Sequence, residues 1–198
     1  MHLPSQMDPN PWVQFQKWYT DAVQAKIQNP EAMTLATANL KGIPSARIML
    51  FKGVELGGLT FYTNYRSRKS KELESNPRAA VIFYWPALNR QLRIEGKIKK
   101  VPPSNSDEYW NTRPRESRLN ALISPQSSLI SGRKELEEKL EIITEKFQNK
   151  EIPRPAHWGG YVLIPHRFEF WLADPYRLHD RFCYVQKLKK WRIVQLAP

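Results

Sequence analysis

The chain has 198 residues, of which 41% are hydrophobic and 12% aromatic, enough for one domain with a sizeable core and incompatible with a disordered chain. A single cysteine, Cys183, excludes an intramolecular disulfide framework, and no Cys/His cluster has zinc spacing, so no metal site and a reducing, cytoplasmic setting are expected. The net charge of +12 calls for anionic partners. Arg and Lys are spread in compact groups beside aromatic and hydroxyl residues, which favours small phosphorylated molecules over nucleic acid.

No apolar run has the length of a signal peptide or a membrane span, so a soluble chain without a membrane partner is expected. Residues 1–7 are expected to be a flexible lead-in. Asp8-Pro9 reads as a helix start, with Asp8 as the cap. Trp12, Phe15, Trp18, Tyr19 and Ala22 then recur at helical spacing up to Asn29-Pro30. Short β-type runs follow at Ala32–Asn39, Ala46–Val54 and Leu59–Thr63, the last two at hairpin distance across Gly57-Gly58. Ser67–Ser75 reads as a short helix, and Ala79–Trp85 and Gln91–Val101 as two more strands. Helices are expected at Ser104–Trp110 and at Ser131–Gln148, where Leu136, Leu140, Ile143 and Phe147 share a face. The tail returns to strands at Gly160–Ile164, Arg167–Leu172, Arg181–Gln186 and Trp191–Leu196. Short strands with helices between them predict a mostly β chain built as a small barrel with helical additions. There is no GxGxxG and no Walker A loop.

Several groups have the chemistry of an anion site. Arg47 and Lys52 bracket RIMLFK, and on an unbroken strand an odd spacing sends them to opposite faces. Arg68 and Lys69 open a short helix, where free N–H groups and the dipole favour an anion; taken alone, solvated surface charge is the simpler reading. Tyr109 and Arg113 are four apart and Ser117 follows, so Tyr, Arg and Ser donors converge as a phosphate would need. A charged helix end broken by Pro114 is an equal alternative. Gln126, Ser127 and Ser128 precede the long helix and read as caps or as ligand contacts. Gln91 is polar within a strand, either a satisfied core group or a ligand contact. In FWLADPYRLHDR, Trp171 offers a flat wall, and Arg177, His179 and Arg181 alternate so that an extended segment would face them the same way. A planar, negatively charged aromatic ligand suits that arrangement; a salt-bridged strand end, with Asp180 neutralising one arginine, is the alternative.

FEFW followed by RLHDR resembles the C-terminal signature of the pyridoxine/pyridoxamine 5′-phosphate oxidase family. RIMLFK, FYTNYRSRKSKELESNP, RQLRIEGK, RPRES, SPQSS, PRPAHWGGY and WRIVQLAP fall in that family's order, so the resemblance runs from about Asp8 to Pro198. It implies one FMN-binding split β-barrel domain over 1–198, with 160–198 the dimerisation and substrate region. It implies a homodimer with FMN at the interface, oxidation of pyridoxamine or pyridoxine 5′-phosphate to pyridoxal 5′-phosphate, and O2 as acceptor giving hydrogen peroxide. The implied flavin contacts are Arg47, Ile48, Met49, Leu50, Phe51, Lys52, Tyr62, Thr63, Arg68, Lys69, Gln91, Gln126, Ser127, Trp171 and Arg181. The implied substrate contacts are Lys52, Tyr109, Arg113, Ser117, Arg177, Leu178 and His179, with Arg177 and His179 orienting the substrate and handling protons. Family members commonly carry a longer N-terminus that can cover the site, for which MHLPSQMD has no obvious equivalent. The alternative on the same fold is an FMN-binding reductase or flavin carrier with another substrate.

Overall fold

The computed structural model describes residues 6–188 and 190–198. It contains five α-helices and nine strands among them. Helix α1 (Pro11–Gln24) is capped by Asn10, whose side chain accepts from Trp12 N–H; Asp8, the expected cap, instead accepts from Asn10 N–H, two residues too early to start the helix. Met7 is already part of the core, so the anchored chain begins before residue 8.

Strands β1 (Ala32–Ala38) and β2 (Pro44–Leu50) form an antiparallel hairpin. The run expected at Ala46–Val54 breaks after Leu50. The Phe51 ring turns into the core against Phe15, Tyr19 and Phe83, and β3 (Gly53–Glu55) starts anew to pair with β4 (Gly58–Asn64). Arg47 and Lys52 do serve different surroundings, but because of this break rather than by strand alternation. Helix α2 (Arg68–Ser75) leads to β5 (Arg78–Trp85), and a 3-10 turn at Pro86–Leu88 leads to β6 (Arg90–Lys100). Helix α3 spans Pro103–Thr112, α4 Arg115–Ile123 and α5 Arg133–Lys146. Helix α4 has no counterpart in the expected elements, because Pro114 breaks the helical pattern; its extended backbone (φ −51°, ψ 145°) sits at the position before a new helix with Glu116 in its first turn.

The two strands expected around Gly160 and Arg167 are one, β7 (Trp158–Leu172), followed by β8 (Asp180–Lys187) and β9 (Lys190–Leu196). Register shifts at Glu95/Gly96, where Gly96 lies opposite Pro165 and Glu95 opposite Arg167, so His166 is the extra residue of a bulge in β7. The sheet order is β2-β1-β5-β6-β7-β4-β3, with β8 and β9 branching from β7. One edge of β7 pairs with β6 along its length, while the other is shared: β4 takes its first half and β8 its second.

Alternation along β1 sends Met33 and Leu35 inward, to meet Val81, Phe83, Leu92, Ile94 and Phe170 from the other strands. The Phe15–Trp18–Ala22 face of α1 closes this core. A second core joins the helices: Trp110, Leu119 and Trp158, with Leu140 and Ile143 from α5 and Phe147 just past its end. Gly160 is the contact between the two parts. A Cβ there would come within 2.7 Å of the Tyr62 ring and of Val101, so only glycine lets Tyr62 lie flat across β7.

Candidate active site

The break at residue 51 places Lys52 at a cavity of about 630 Å³ between the sheet and helices α3 and α4. Tyr109 and Arg113 reach it from the C-terminal end of α3 and Ser117 from the first turn of α4. The four residues expected to hold a substrate phosphate therefore share one cavity, which Tyr62 and Thr63 also line.

Arg113 defines the chemistry of this cavity. Its guanidinium packs 4.4 Å over the Trp158 ring and 5.1 Å from Trp110, and Nη2 donates to Ser117 O at 3.0 Å. Its Nη1 is buried with no hydrogen-bond partner among the described residues. Burial pulls its pKa below the usual guanidinium value, and the Arg118 charge pushes the same way. A buried guanidinium nitrogen without an acceptor is costly unless an anion occupies the cavity. The floor beneath it is rigid. Tyr62, Tyr109 and Trp158 lie nearly parallel, with the two tyrosine rings 4.0 Å apart and interplanar angles of 14°, 12° and 6°. Lys52 Nζ stands 6.0 Å from the Tyr109 ring. Trp158 was absent from the expected site, and a tryptophan at the start of a strand gave no signal of this role.

A second cavity of about 420 Å³ adjoins the first through Ile48, Met49 and Gln126. Arg47, Arg68, Lys69 and Ser127 line it. Lys69 is buried, and its ammonium donates to Thr63 (3.0 Å), Ser67 (3.2 Å) and Gln126 (3.2 Å). Arg47 donates to Thr37 and to Leu35 O. Glu72 holds the cluster together from below. It accepts from Thr37 (2.5 Å), Ser45 (2.6 Å) and Arg68 (2.9 Å) and lies 3.4 Å from Arg47. Burial alone would raise its pKa, but hydrogen bonds from Ser45, Thr37 and Arg68 outweigh that and hold it at about 2. Glu72 was also absent from the expected site, although its i,i+4 spacing from Arg68 on α2 was visible. Three cations, one counter-carboxylate and the first N–H groups of α2 make a cradle for a phosphate dianion. That donor set fits the phosphate end of FMN.

Burial, with the Arg47 charge second, lowers the Lys69 pKa from 10.5 to about 8. An unfolded lysine holds its proton to higher pH, so between these values the unfolded chain binds more protons and stability rises with pH. An anion in the cradle favours charged Lys69. Affinity of the cradle for a phosphate anion is therefore expected to be full below about pH 8 and to fall above it. Fluorescence titration with FMN across this range checks the effect; a flat affinity contradicts it.

Gln91, Trp171, Arg177, Leu178, His179 and Arg181 line neither cavity. Gln91 pairs with Trp171, and Trp171 with Arg181, at the far end of β7. Tyr62 pairs with Gly160 near its start. Eleven residues of strand separate the two positions, roughly 35 Å of contour at about 3.3 Å per residue. Within one chain the expected flavin contacts thus fall into two groups, apart from Phe51, whose ring packs in the core and lines neither cavity. Glu169, buried in β7, fixes the second group: it accepts from Arg181 Nε at 3.0 Å and Nη2 at 2.8 Å, and from Arg93 at 2.5 Å. Segment 173–179 is a turn, not the extended run expected from Arg177/His179 alternation. Arg177 has φ +64° and its N–H donates to Asp174 O, while the His179 ring rests against Trp171 at 4.6 Å.

Comparison with known proteins bears on both groups. Residues 19–147 match the family described as pyridoxamine 5′-phosphate oxidase, and residues 158–198 match the pyridoxine 5′-phosphate oxidase C-terminal dimerisation region. A pyridoxine/pyridoxamine 5′-phosphate oxidase from Cyanothece sp. (strain PCC 7425) is 48% identical over 194 residues, covering 98% of this chain and 91% of the relative. One from Cupriavidus necator is 49% identical over 191 residues, covering 96% and 90%. Among solved structures, PhzG from Burkholderia lata 383, in complex with tetrahydrophenazine-1-carboxylic acid, superimposes with a TM-score of 0.93 at 30% identity, over 100% of this chain and 98% of that one. A pyridoxamine 5′-phosphate oxidase-related, FMN-binding protein from Nostoc punctiforme shares the split-barrel fold, with a TM-score of 0.73 at 18% identity, over 97% and 100%.

Proposed function

The chain belongs to the pyridoxine/pyridoxamine 5′-phosphate oxidase family, and from that premise we propose that it binds FMN and oxidises pyridoxamine or pyridoxine 5′-phosphate to pyridoxal 5′-phosphate, with O2 as acceptor. The observation that carries this reading is Arg113, whose buried Nη1 lacks an acceptor in a cavity also lined by Lys52, Tyr109 and Ser117. These residues hold the substrate phosphate. Arg47, Arg68, Lys69, Gln126 and Ser127 hold the flavin phosphate next to it.

FMN, when bound, supplies the acceptor for the hydride leaving substrate C4′ and returns the electrons to O2 as hydrogen peroxide. The chain's own residues position and desolvate. Lys52 and Arg113 fix one end of the substrate by charge, and the Tyr62–Tyr109–Trp158 stack excludes water from that end. Alignment of this kind is worth roughly 7–11 kcal/mol of a barrier when geometry is near-attack. The two groups separated along β7 make one site only if a second copy of the chain supplies Gln91, Trp171, Arg181 and the Arg177–His179 segment. The site is therefore shared across a homodimer, consistent with the match to a dimerisation region.

The similarity to PhzG favours a second reading, a carboxylate-bearing tricyclic substrate in the same cavity. The test is kcat/KM of the FMN-loaded protein for pyridoxamine 5′-phosphate, for pyridoxamine without phosphate, and for a tetrahydrophenazine carboxylate. A preference of about a hundredfold or more for the phosphorylated amine is expected from two charge-assisted contacts. Equal values for the first two, or a preference for the third, contradict the assignment.

A further inference from the structure

The segment between Trp171 and Arg181 is tied together by one residue, Asp174. Asp174 Oδ1 accepts from Tyr176 N–H at 2.8 Å and from Leu178 N–H at 3.3 Å. Its carbonyl accepts from Arg177 N–H at 3.1 Å, closing the turn in which Arg177 takes the left-handed backbone (φ +64°). A non-glycine residue in that region needs support from its surroundings. The N–H of Asp174 then donates to His179 Nδ1 at 3.0 Å.

That last bond has a chemical consequence. A backbone N–H can only donate, so Nδ1 must present its lone pair. A neutral imidazole then carries its proton on Nε2. With Nε2 protonated and Nδ1 engaged by the turn, the ring meets a ligand as a hydrogen-bond donor. It is not a base at either nitrogen without breaking the turn or changing tautomer. Contact with Trp171 at 4.6 Å limits the ring's rotation.

We propose that Asp174 is a positioning residue: it sets the backbone of Arg177 and the Nε2–H tautomer of His179, so that His179 serves the reaction by donating a hydrogen bond rather than by taking a proton. This rests on the reading of Arg177 and His179 as substrate-facing residues, and it narrows the proton-handling role first expected of His179. Asp174 lies outside both hydrophobic cores, so its effect is on the turn and not on global stability.

The test uses the FMN-loaded protein and its Asp174→Ala and Asp174→Asn variants. Asparagine keeps the accepting Oδ1; alanine removes it. Asp174→Ala is expected to lower kcat/KM for pyridoxamine 5′-phosphate about tenfold, with FMN content and melting temperature unchanged, and Asp174→Asn to stay within about twofold of the parent. Independently of turnover, the imidazole nitrogen-15 spectrum of the parent, assigned with His179→Gln, is expected to show an unprotonated Nδ1 and a protonated Nε2 at His179. A protonated Nδ1 in the parent overturns the proposal. So does wild-type kcat/KM in Asp174→Ala, or an Asp174→Asn variant as impaired as the alanine one. Should the parent fail to oxidise the substrate at all, the functional reading falls, while the spectrum still decides the tautomer.

Discussion

Replacing Arg113 with alanine raises KM for pyridoxamine 5′-phosphate by ten- to a hundredfold and leaves FMN content unchanged. The side chain supplies a charge-assisted contact worth about 1.5–3 kcal/mol, and each 1.4 kcal/mol is about tenfold in affinity. The guanidinium is pre-oriented by Trp158 and Trp110, and Nη2 is committed to Ser117 O, which leaves Nη1 for the ligand. Lysine at this position restores charge but neither the stacking on Trp158 nor the planar fork, so Arg113→Lys recovers only part of the loss. Steady-state kinetics on the three proteins checks this. An unchanged KM in Arg113→Ala removes the phosphate site from this cavity.

Replacing Glu169 with alanine has the second large effect, on stability and flavin binding together. The Glu169 side chain is only 4% exposed and answers both Arg93 and Arg181. Removing one partner of a buried pair leaves charge without compensation and costs about 3–5 kcal/mol. Both arginines are partly exposed and Arg93 keeps a contact with Glu95 at 3.1 Å, so the lower end, about 3 kcal/mol, applies. For a chain of this size that lowers Tm by roughly 6–12 °C. Arg181 also loses its tether beside Trp171, so FMN is retained less well. Thermal melting with and without added FMN reads both effects. A Tm within about 2 °C of the parent and full FMN content contradict the role given to Glu169.

Much of this was legible in the sequence, and the rest was not for physical reasons. The strands at Ala32 and Gln91 announce themselves by alternation, that at Ala79 by a continuous apolar run rich in β-branched and aromatic residues, and α1 by its aromatic period. The break at Phe51-Lys52 does not, because Phe51 fits a strand pattern and only the core it enters decides its direction. Helix α4 was hidden because Pro114 both ends one helix and precedes another. At Arg177 and His179 a spacing of two was read as extended, although Asp174-Pro175 before them is a turn signal. The grouping of Lys52, Tyr109, Arg113 and Ser117, which the structure brings to one cavity, came from local chemistry and family resemblance. Their supports, Trp158 beneath Arg113 and Glu169 bridging Arg93 and Arg181, depend on contacts between residues up to 76 positions apart. No local pattern encodes those.

The account as a whole rests on the chemistry assigned to the joined cavities. It is tested most directly by incubating FMN-loaded protein with pyridoxamine 5′-phosphate in air while following pyridoxal 5′-phosphate and hydrogen peroxide together. Equal amounts of both, continuing over many turnovers, are the predicted result. Tight FMN binding with neither product formed would contradict it and leave the cavity lined by Lys52, Tyr109, Arg113 and Ser117 to a different substrate.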